Sequence, residues 1–281
     1  MSRHHRAGPP AGVRPDAPPP ARRRWWRELL LVILGYWSYT LVRNAVPDQA
    51  GAATRNADRI YRLEQALGID VELAVNVTLD RITWLIVGMN YYYAVAHFAV
   101  TIAGLVWLYR RHPRHYPLAR NVFLVTNGVA LSVFYLFPLA PPRLLPRLGF
   151  VDTVIVHGTW GSWASGDLAA ASNQYAAMPS MHVAWSLFSA VVIVRLARRW
   201  WVRGLAALHP VLTLVVIVAT ANHFVLDAAG GAAALGAGYA IPVLAVAVRR
   251  RRRTRRPPLP RQPAPADREP AEPAEVAGAP A

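Results

Sequence analysis

The stretch LAALHPVLTLVVIVATANHFVLDAAGGAAALGAGYAIPVLAVAV, residues 205–248, decides the class of fold. It holds two apolar runs, about Leu205 to Asn222 and about Val225 to Val248, each long enough to cross a bilayer. At their junction stand Asn222 and His223, with Asp227 four residues further on. Arg249 to Arg253 end the second run, and Pro210 falls in the early turns of the first. An ionisable group is costly to keep at a membrane helix end, so His223 and Asp227 are functional candidates by default.

Working outward, similar runs cover Leu29 to Val46, Ile82 to Leu108 and Val122 to Leu139, and another runs from near Pro179 to before Arg198. The pattern predicts an all-α integral membrane protein, a six-transmembrane-helix bundle. The run from Ile82 is ~40 Å long as a helix against a ~30 Å hydrocarbon core, so it tilts or protrudes. In residues 51–80, Ile60, Leu63, Leu67 and Val71 recur at helical spacing with Arg59, Arg62 and Glu64 between them. That spacing suits an interfacial amphipathic helix on the membrane surface, or equally a helix packed on the bundle.

Composition agrees. Of 281 residues, 54% are hydrophobic and 16% charged, and the charges gather between the apolar runs, which excludes ordinary soluble domains. The net charge of +16 is carried by arginine without any lysine. The arginines fall at helix ends and in the tails, so they speak for membrane orientation, and no nucleic-acid partner is expected. No cysteine is present, so disulfide and thiolate-metal sites are excluded.

Residues 1–27 read as a disordered basic tail, 28–250 as one membrane domain and 251–281 as a disordered Arg/Pro/Ala-rich tail. Arg22, Arg23, Arg24 and Arg27 before the first apolar run suggest a secretory signal. The lack of a small-residue cleavage site and the spans that follow favour a retained first helix.

With six alternating spans, the amino terminus, the 110–120 loop, the 198–203 loop and the carboxyl tail share one side, and all carry arginine clusters. The positive-inside rule makes that side cytoplasmic. Both termini are then cytoplasmic in a multi-pass protein of the plasma membrane. His182, His223, Asp227 and Arg143 share the extracytoplasmic face, which is where an active site is expected.

The chemistry follows from the side chains. His223 and Asp227, at i and i+4, lie on one helical face within hydrogen-bond reach. A carboxylate fixes the histidine tautomer and leaves the other ring nitrogen free to attack. His182 is placed to be the general acid for a leaving group. Arg143 offers a planar fork for phosphate oxygens, although an interfacial anchor is the alternative for a lone arginine. The helix end at Ser180 offers backbone N–H donors to an anion. Together they suit a phosphate-ester site with a phosphohistidine step.

Pro179-Ser180-Met181-His182 and His223-x3-Asp227 resemble the second and third motifs of the type 2 phosphatidic acid phosphatase superfamily. Ala140-Pro141-Pro142-Arg143, Asn90-Tyr91-Tyr92-Tyr93 and Ala177 through Trp185 look like its branch containing inositol phosphorylceramide synthases. The resemblance spans roughly residues 29–248. It implies a six-helix fold and metal-independent phosphoryl transfer on a membrane lipid phosphate, with no cofactor. It places the nucleophile at His223, its partner at Asp227 and the leaving-group acid at His182. The acceptor is water for a phosphatase, or a polar alcohol for an inositolphosphotransferase-like enzyme. Leu136 and Leu144 stand where the first motif has Lys and Pro, Val216 and Ile217 where the third has Ser-Arg, and Met181 where the second has Gly. Such losses are expected in the transferase-like branch.

Other readings compete. His182, His223 and Asp227 could form a two-histidine, one-carboxylate metal site of a metal-dependent hydrolase. A non-catalytic transporter or scaffold is the third class, although no internal repeat supports a transporter. Ser180 lacks a nucleophile-elbow sequence. Tyr91, Tyr92, Tyr93, Trp160 and Trp163 read as an aromatic belt. Gly230, Ala234 and Gly238 read as a close-packing face. His97 is expected either to bridge helices or to line the cavity.

Overall fold

A computed structural model of the protein describes residues 49–159 and 174–254, together with Trp26, Leu30 and Gly35. Apart from those three residues, the expected first span and the tails before Gln49 and beyond Thr254 lie outside the described residues, as do Trp160 and Trp163. Among the described residues the regular structure is helical, with one isolated bridge between Leu139 and Ala176.

The helices are α1 (Ala50–Leu67), α2 (Glu72–Asp80), α3 (Thr83–Arg111), α4 (Tyr116–Leu136), the short α5 (Thr153–Val156), α6 (Met181–Leu196), α7 (Trp200–Ala219) and α8 (Val225–Thr254). Their boundaries follow local chemistry. Gly68 ends α1 at φ 67°, a conformation that costs glycine nothing, and its N–H returns to Gln65 and Glu64. Pro117 sits in the first turn of α4, where no helical donor is needed. The connection after α4 forms 3₁₀ turns at Pro142–Leu144 and Pro146–Leu148 before α5.

Four helices, α3, α4, α7 and α8, are long and apolar enough to cross a membrane. Helix α6 is apolar but has 16 residues, ~24 Å, so it falls short of a full hydrocarbon core. The six expected spans therefore reduce to four of full length and this shorter one among the described residues. The third span begins at Tyr116, six residues before the expected Val122, and takes Arg120 into its first turns.

The exposed faces of these helices are apolar. Leu205, Leu208, Val211 and Leu212 point outward from α7, while His209 and Thr213 face the interior. This is the pattern of a helix immersed in lipid. The most extensive packing is of α8 on α4 and of α6 on α7. Glycines of α8 permit close approach at two points, to α4 and to the residue before α6: a Cβ on Gly238 would stand 2.0 Å from Thr126 Oγ1, and one on Gly231 would stand 2.3 Å from the Ser180 carbonyl. At Gly230 a Cβ would meet only ordinary contacts, so the close-packing pair is Gly231 and Gly238.

Residues 51–80 form two helices. The buried stripe of α1 is Ala53, Ala57, Ile60 and Glu64, whereas Leu63, Leu67 and Val71 are exposed. The inward face needs small side chains because it lies against backbone: the Ala140 amide donates to Ala53 O at 3.3 Å, and Asn56 Nδ2 donates to Pro138 O at 2.9 Å. Helix α1 is thus packed on the bundle and presents an apolar edge outward.

These contacts gather the starts of α3, α6 and α8 and the ends of α4 and α7 at one end of the bundle. Asn76 of α2 reaches Ala219 O at 2.8 Å, Arg143 N reaches Ala221 O at 2.8 Å, and Ser180 N reaches Asp227 O at 2.9 Å.

Candidate functional site

The turn between α7 and α8 is closed by backbone bonds. Ala221 N donates to Val218 O and Asn222 N to Ile217 O, both at 3.0 Å, with Ala221 at φ 50°. This is a Schellman closure in which alanine occupies the left-handed position usually given to glycine, at a cost of order 1 kcal/mol. The buried Ala221 is held there by the Arg143 amide on its carbonyl. The turn delivers His223 into the interior two residues before α8 begins.

His223 Nδ1 donates to Asp227 Oδ2 at 3.3 Å, and the Phe224 amide donates to the same oxygen at 3.0 Å. Both side chains are buried. A carboxylate only accepts, so the proton sits on Nδ1 and the lone pair on Nε2. Nε2 is buried and has no hydrogen-bond partner among the described residues. This is a ring nitrogen with a fixed tautomer and an unused lone pair.

His182 occupies the first turn of α6. Its ring centroid lies 5.4 Å from that of His223. Tyr93 of α3 stacks on it at 4.0 Å with an interplanar angle of 18°, and His97 contacts it at 4.0 Å and 55°. The two histidines separated by forty residues of sequence therefore meet, with an aromatic wall from α3 behind them. Tyr93 is also 6.3 Å from His223, so it belongs to this cluster and not to an outward aromatic belt. His97 is buried and lines the same cluster.

Ser180 is the residue before α6 and is fully buried, but its amide is already spent on Asp227 O. Its Oγ makes no hydrogen bond to the described residues and does not cap the helix. The donors at this helix end are therefore the later first-turn amides, with the Ser180 hydroxyl beside them.

Arg143 is buried, which sets aside the interfacial-anchor alternative. Its Nε donates to Asn222 Oδ1 at 3.0 Å, its Nη1 pairs with Asp152 at 3.2 Å, and its Nη2 reaches Gln174 Oε1 at 3.5 Å. Asp152 in turn accepts the amides of Val154 and Ile155 and so starts α5. The guanidinium is placed beside the His223 turn with its charge balanced by one carboxylate. Val216 and Ile217, at the positions of the absent Ser-Arg pair, are core residues of α7, and Leu136 is exposed.

Among the described residues, no three His, Cys, Asp or Glu side chains assemble as a metal-ligand set. All five residues singled out by sequence, His223, His182, Asp227, Arg143 and Ser180, come together at this end of the bundle. Sequence reasoning missed Tyr93, Asp152, Asn222 and the buried carboxyls Glu64 and Glu72. Two of them carried a signal: Tyr93 in the Asn90–Tyr93 stretch, and Asn222 in its position beside His223.

A family model described as PAP2 superfamily matches residues 58–241, more than half of the chain. No curated protein and no solved structure matches it.

Proposed function

The chain belongs to the PAP2 superfamily, whose members are phosphatases and phosphotransferases, and on that premise we propose that it is a membrane enzyme transferring the phosphoryl group of a lipid phosphate ester through His223. One observation carries the reading: the buried Nε2 of His223 has no hydrogen-bond partner among the described residues while Nδ1 is bonded to Asp227, and the His182 ring centroid stands 5.4 Å away.

In the first step the Nε2 lone pair attacks phosphorus. The N–P bond forms as the ester P–O bond breaks, and His182 delivers its proton to the departing alkoxide. Asp227 stabilises the positive charge that develops on the His223 ring. In the second step His182, now neutral, takes a proton from the acceptor, whose oxygen displaces the histidine. Water as acceptor gives phosphatase activity. A polar alcohol gives the inositolphosphotransferase-like reaction. The Arg143 guanidinium, the Ser180 hydroxyl and the first-turn amides of α6 hold the phosphate oxygens. Every step is assigned to side chains of this chain, and metal-independence is part of the proposal.

The arginine clusters at 110–120, 198–203 and 249–253 support a plasma-membrane protein with these loops and both termini cytoplasmic. The site then opens to the extracytoplasmic side, with Leu63, Leu67 and Val71 of the α1–α2 region directed to the membrane interface.

The test is trapping. Purified enzyme is mixed with a 32P-labelled short-chain lipid phosphate and quenched in alkali, with and without chelator and inositol. An acid-labile, alkali-stable label that chelator leaves unchanged is expected. Free phosphate as product assigns water, and phosphoinositol assigns the alcohol. Loss of turnover with chelator, restored by metal, would favour the metal-dependent reading.

A further inference from the structure

Glu64 on α1 and Glu72 at the start of α2 are fully buried, a rare state for glutamate without a partner. Each has a partner on the His223 turn. The Leu226 amide donates to Glu64 Oε1 at 2.7 Å, and the Val225 amide donates to Glu72 Oε1 at 2.8 Å. Val225 and Leu226 are the first two residues of α8, and their amides have no acceptor inside that helix. Two other helices thus supply the caps that α8 lacks, two and three residues after His223.

The remaining oxygens of the two glutamates, both Oε2, are buried and meet no N–H or hydroxyl donor among the described residues. Because their Oε1 atoms accept from the amides of two adjacent residues, Val225 and Leu226, the two carboxyl groups lie side by side. Two ionised carboxylates in contact in a dry site repel, and one proton between them removes the conflict. Burial, and next the hydrogen bond with Glu72, push the Glu64 carboxyl up to about 9. The titratable groups facing it are Glu72 from α2 and Asp227 from α8. Tyr61 on its own helix also faces it, and Tyr61 in turn faces Asp70. The negative charges of the two carboxylates, Glu72 and Asp227, hold that proton on Glu64 more firmly.

We propose that Glu64 and Glu72 form a carboxyl pair sharing one proton, which grips the first turn of α8 and thereby aims His223 at phosphorus. They are positioning residues: neither touches the substrate. The inference rests on the reading of His223 as nucleophile. Alkaline pH is its natural breaking point. As pH rises through about 9 Glu64 loses that proton, its carboxylate is repelled by its acidic neighbours, and the grip on the two amides opens.

The experiment compares the full-length wild type, Glu64→Gln and Glu64→Ala in detergent. Glu64→Gln keeps the acceptor and replaces the shared proton by a permanent N–H donor. It is expected to keep kcat within about twofold at neutral pH and to lose the alkaline fall in kcat near pH 9. Glu64→Ala is expected to lower kcat at every pH, roughly 10- to 100-fold for a displaced reacting group, with a smaller change in KM. Two readouts are independent of turnover. The infrared band of a protonated carboxyl at pH 7 should vanish in Glu64→Gln. Hydrogen exchange at residues 225–226 should be accelerated in Glu64→Ala alone. An alkaline limb unmoved in Glu64→Gln together with an unchanged carboxyl band overturns the pair. A wild type without phosphate-ester turnover but with both signatures intact overturns the phosphoryl-transfer reading and, with it, the aiming of a nucleophile, while upholding the grip on α8.

Discussion

The two histidines of the site are held in different ways. His223 stands on a turn fixed by hydrogen bonds with Asp227, Glu64, Glu72, Asn76 and Arg143, drawn from four separate parts of the chain. His182 is held by ring contacts with Tyr93 and His97 and by a hydrogen bond to the Tyr93 backbone. A hydrogen bond fixes a tautomer and a direction, which is what an attacking nitrogen requires. Stacking fixes a plane, and a single backbone bond takes one ring nitrogen and leaves the other to gain and lose a proton, which is what an acid and base requires. The difference in restraint matches the difference in proposed role.

The largest test of that contrast is His223→Ala. It should remove turnover by about 10⁴-fold or more, as loss of a nucleophile does, and abolish the labelled adduct. Labelled enzyme surviving in this variant would remove His223 from the nucleophile's role. Next, His182→Ala should cost about 10²- to 10⁴-fold with a lipid alkoxide leaving group and much less with p-nitrophenolate. Equal losses on both substrates would dissolve the division of labour between the rings.

Gly231→Ala probes the distance between the two supports. Its new Cβ would need to displace the Ser180 carbonyl, 2.3 Å away, and so part α6 from α8. An overpacking penalty of about 1–3 kcal/mol and a rate loss of roughly 10- to 100-fold are expected. Gly230→Ala, in ordinary contact, should leave the rate within about twofold. Tyr93→Leu removes the stack on His182. A two- to tenfold fall in kcat is expected, the worth of an aromatic pair at about 0.5–1.5 kcal/mol. An unchanged rate would mean that the backbone bond at residue 93 and packing from α6 orient the ring without the stack.

The smallest effect concerns stability. Glu64 keeps its proton in the folded protein up to about 9, against an ordinary value of 4.5. Between those values unfolding releases a proton, so the stability this group confers is complete below 4.5 and declines as pH rises through about 9. The Tm of wild type should therefore fall relative to Glu64→Gln across that window, by an amount on the order of a few °C.

The legible and illegible parts of the site differ in where their information lies. His182, His223, Asp227, Arg143 and Ser180 were readable because each belongs to a short pattern at a helix end, and helix ends alternate predictably between two sides. Tyr93 was not, because in Asn90-Tyr91-Tyr92-Tyr93 every tyrosine has the same local signature, and only the rotation of α3 against α6 selects one. Glu64 stood only as a polar residue between apolar ones and Glu72 gave no signal, because nothing local distinguishes a glutamate facing water from one facing the bare amides of a distant helix. Leu63, Leu67 and Val71 left two readings open for the converse reason. Apolar spacing marks an amphipathic face, but which face turns inward depended on the need for small residues against the backbone of 138–140.

The sequence alone determined that the chain is helical and built for lipid, and that two imidazoles and a carboxylate stand at helix ends on one side. Apolar length and charge placement are properties of single segments, so no folding is needed to see them. The tertiary structure alone decided that those rings meet at 5.4 Å, that Arg143 is buried and paired, and that two carboxyls from the surface-like α1–α2 region seat the turn of His223. Each of these depends on the relative rotation and separation of segments far apart in sequence, which only the packed bundle fixes.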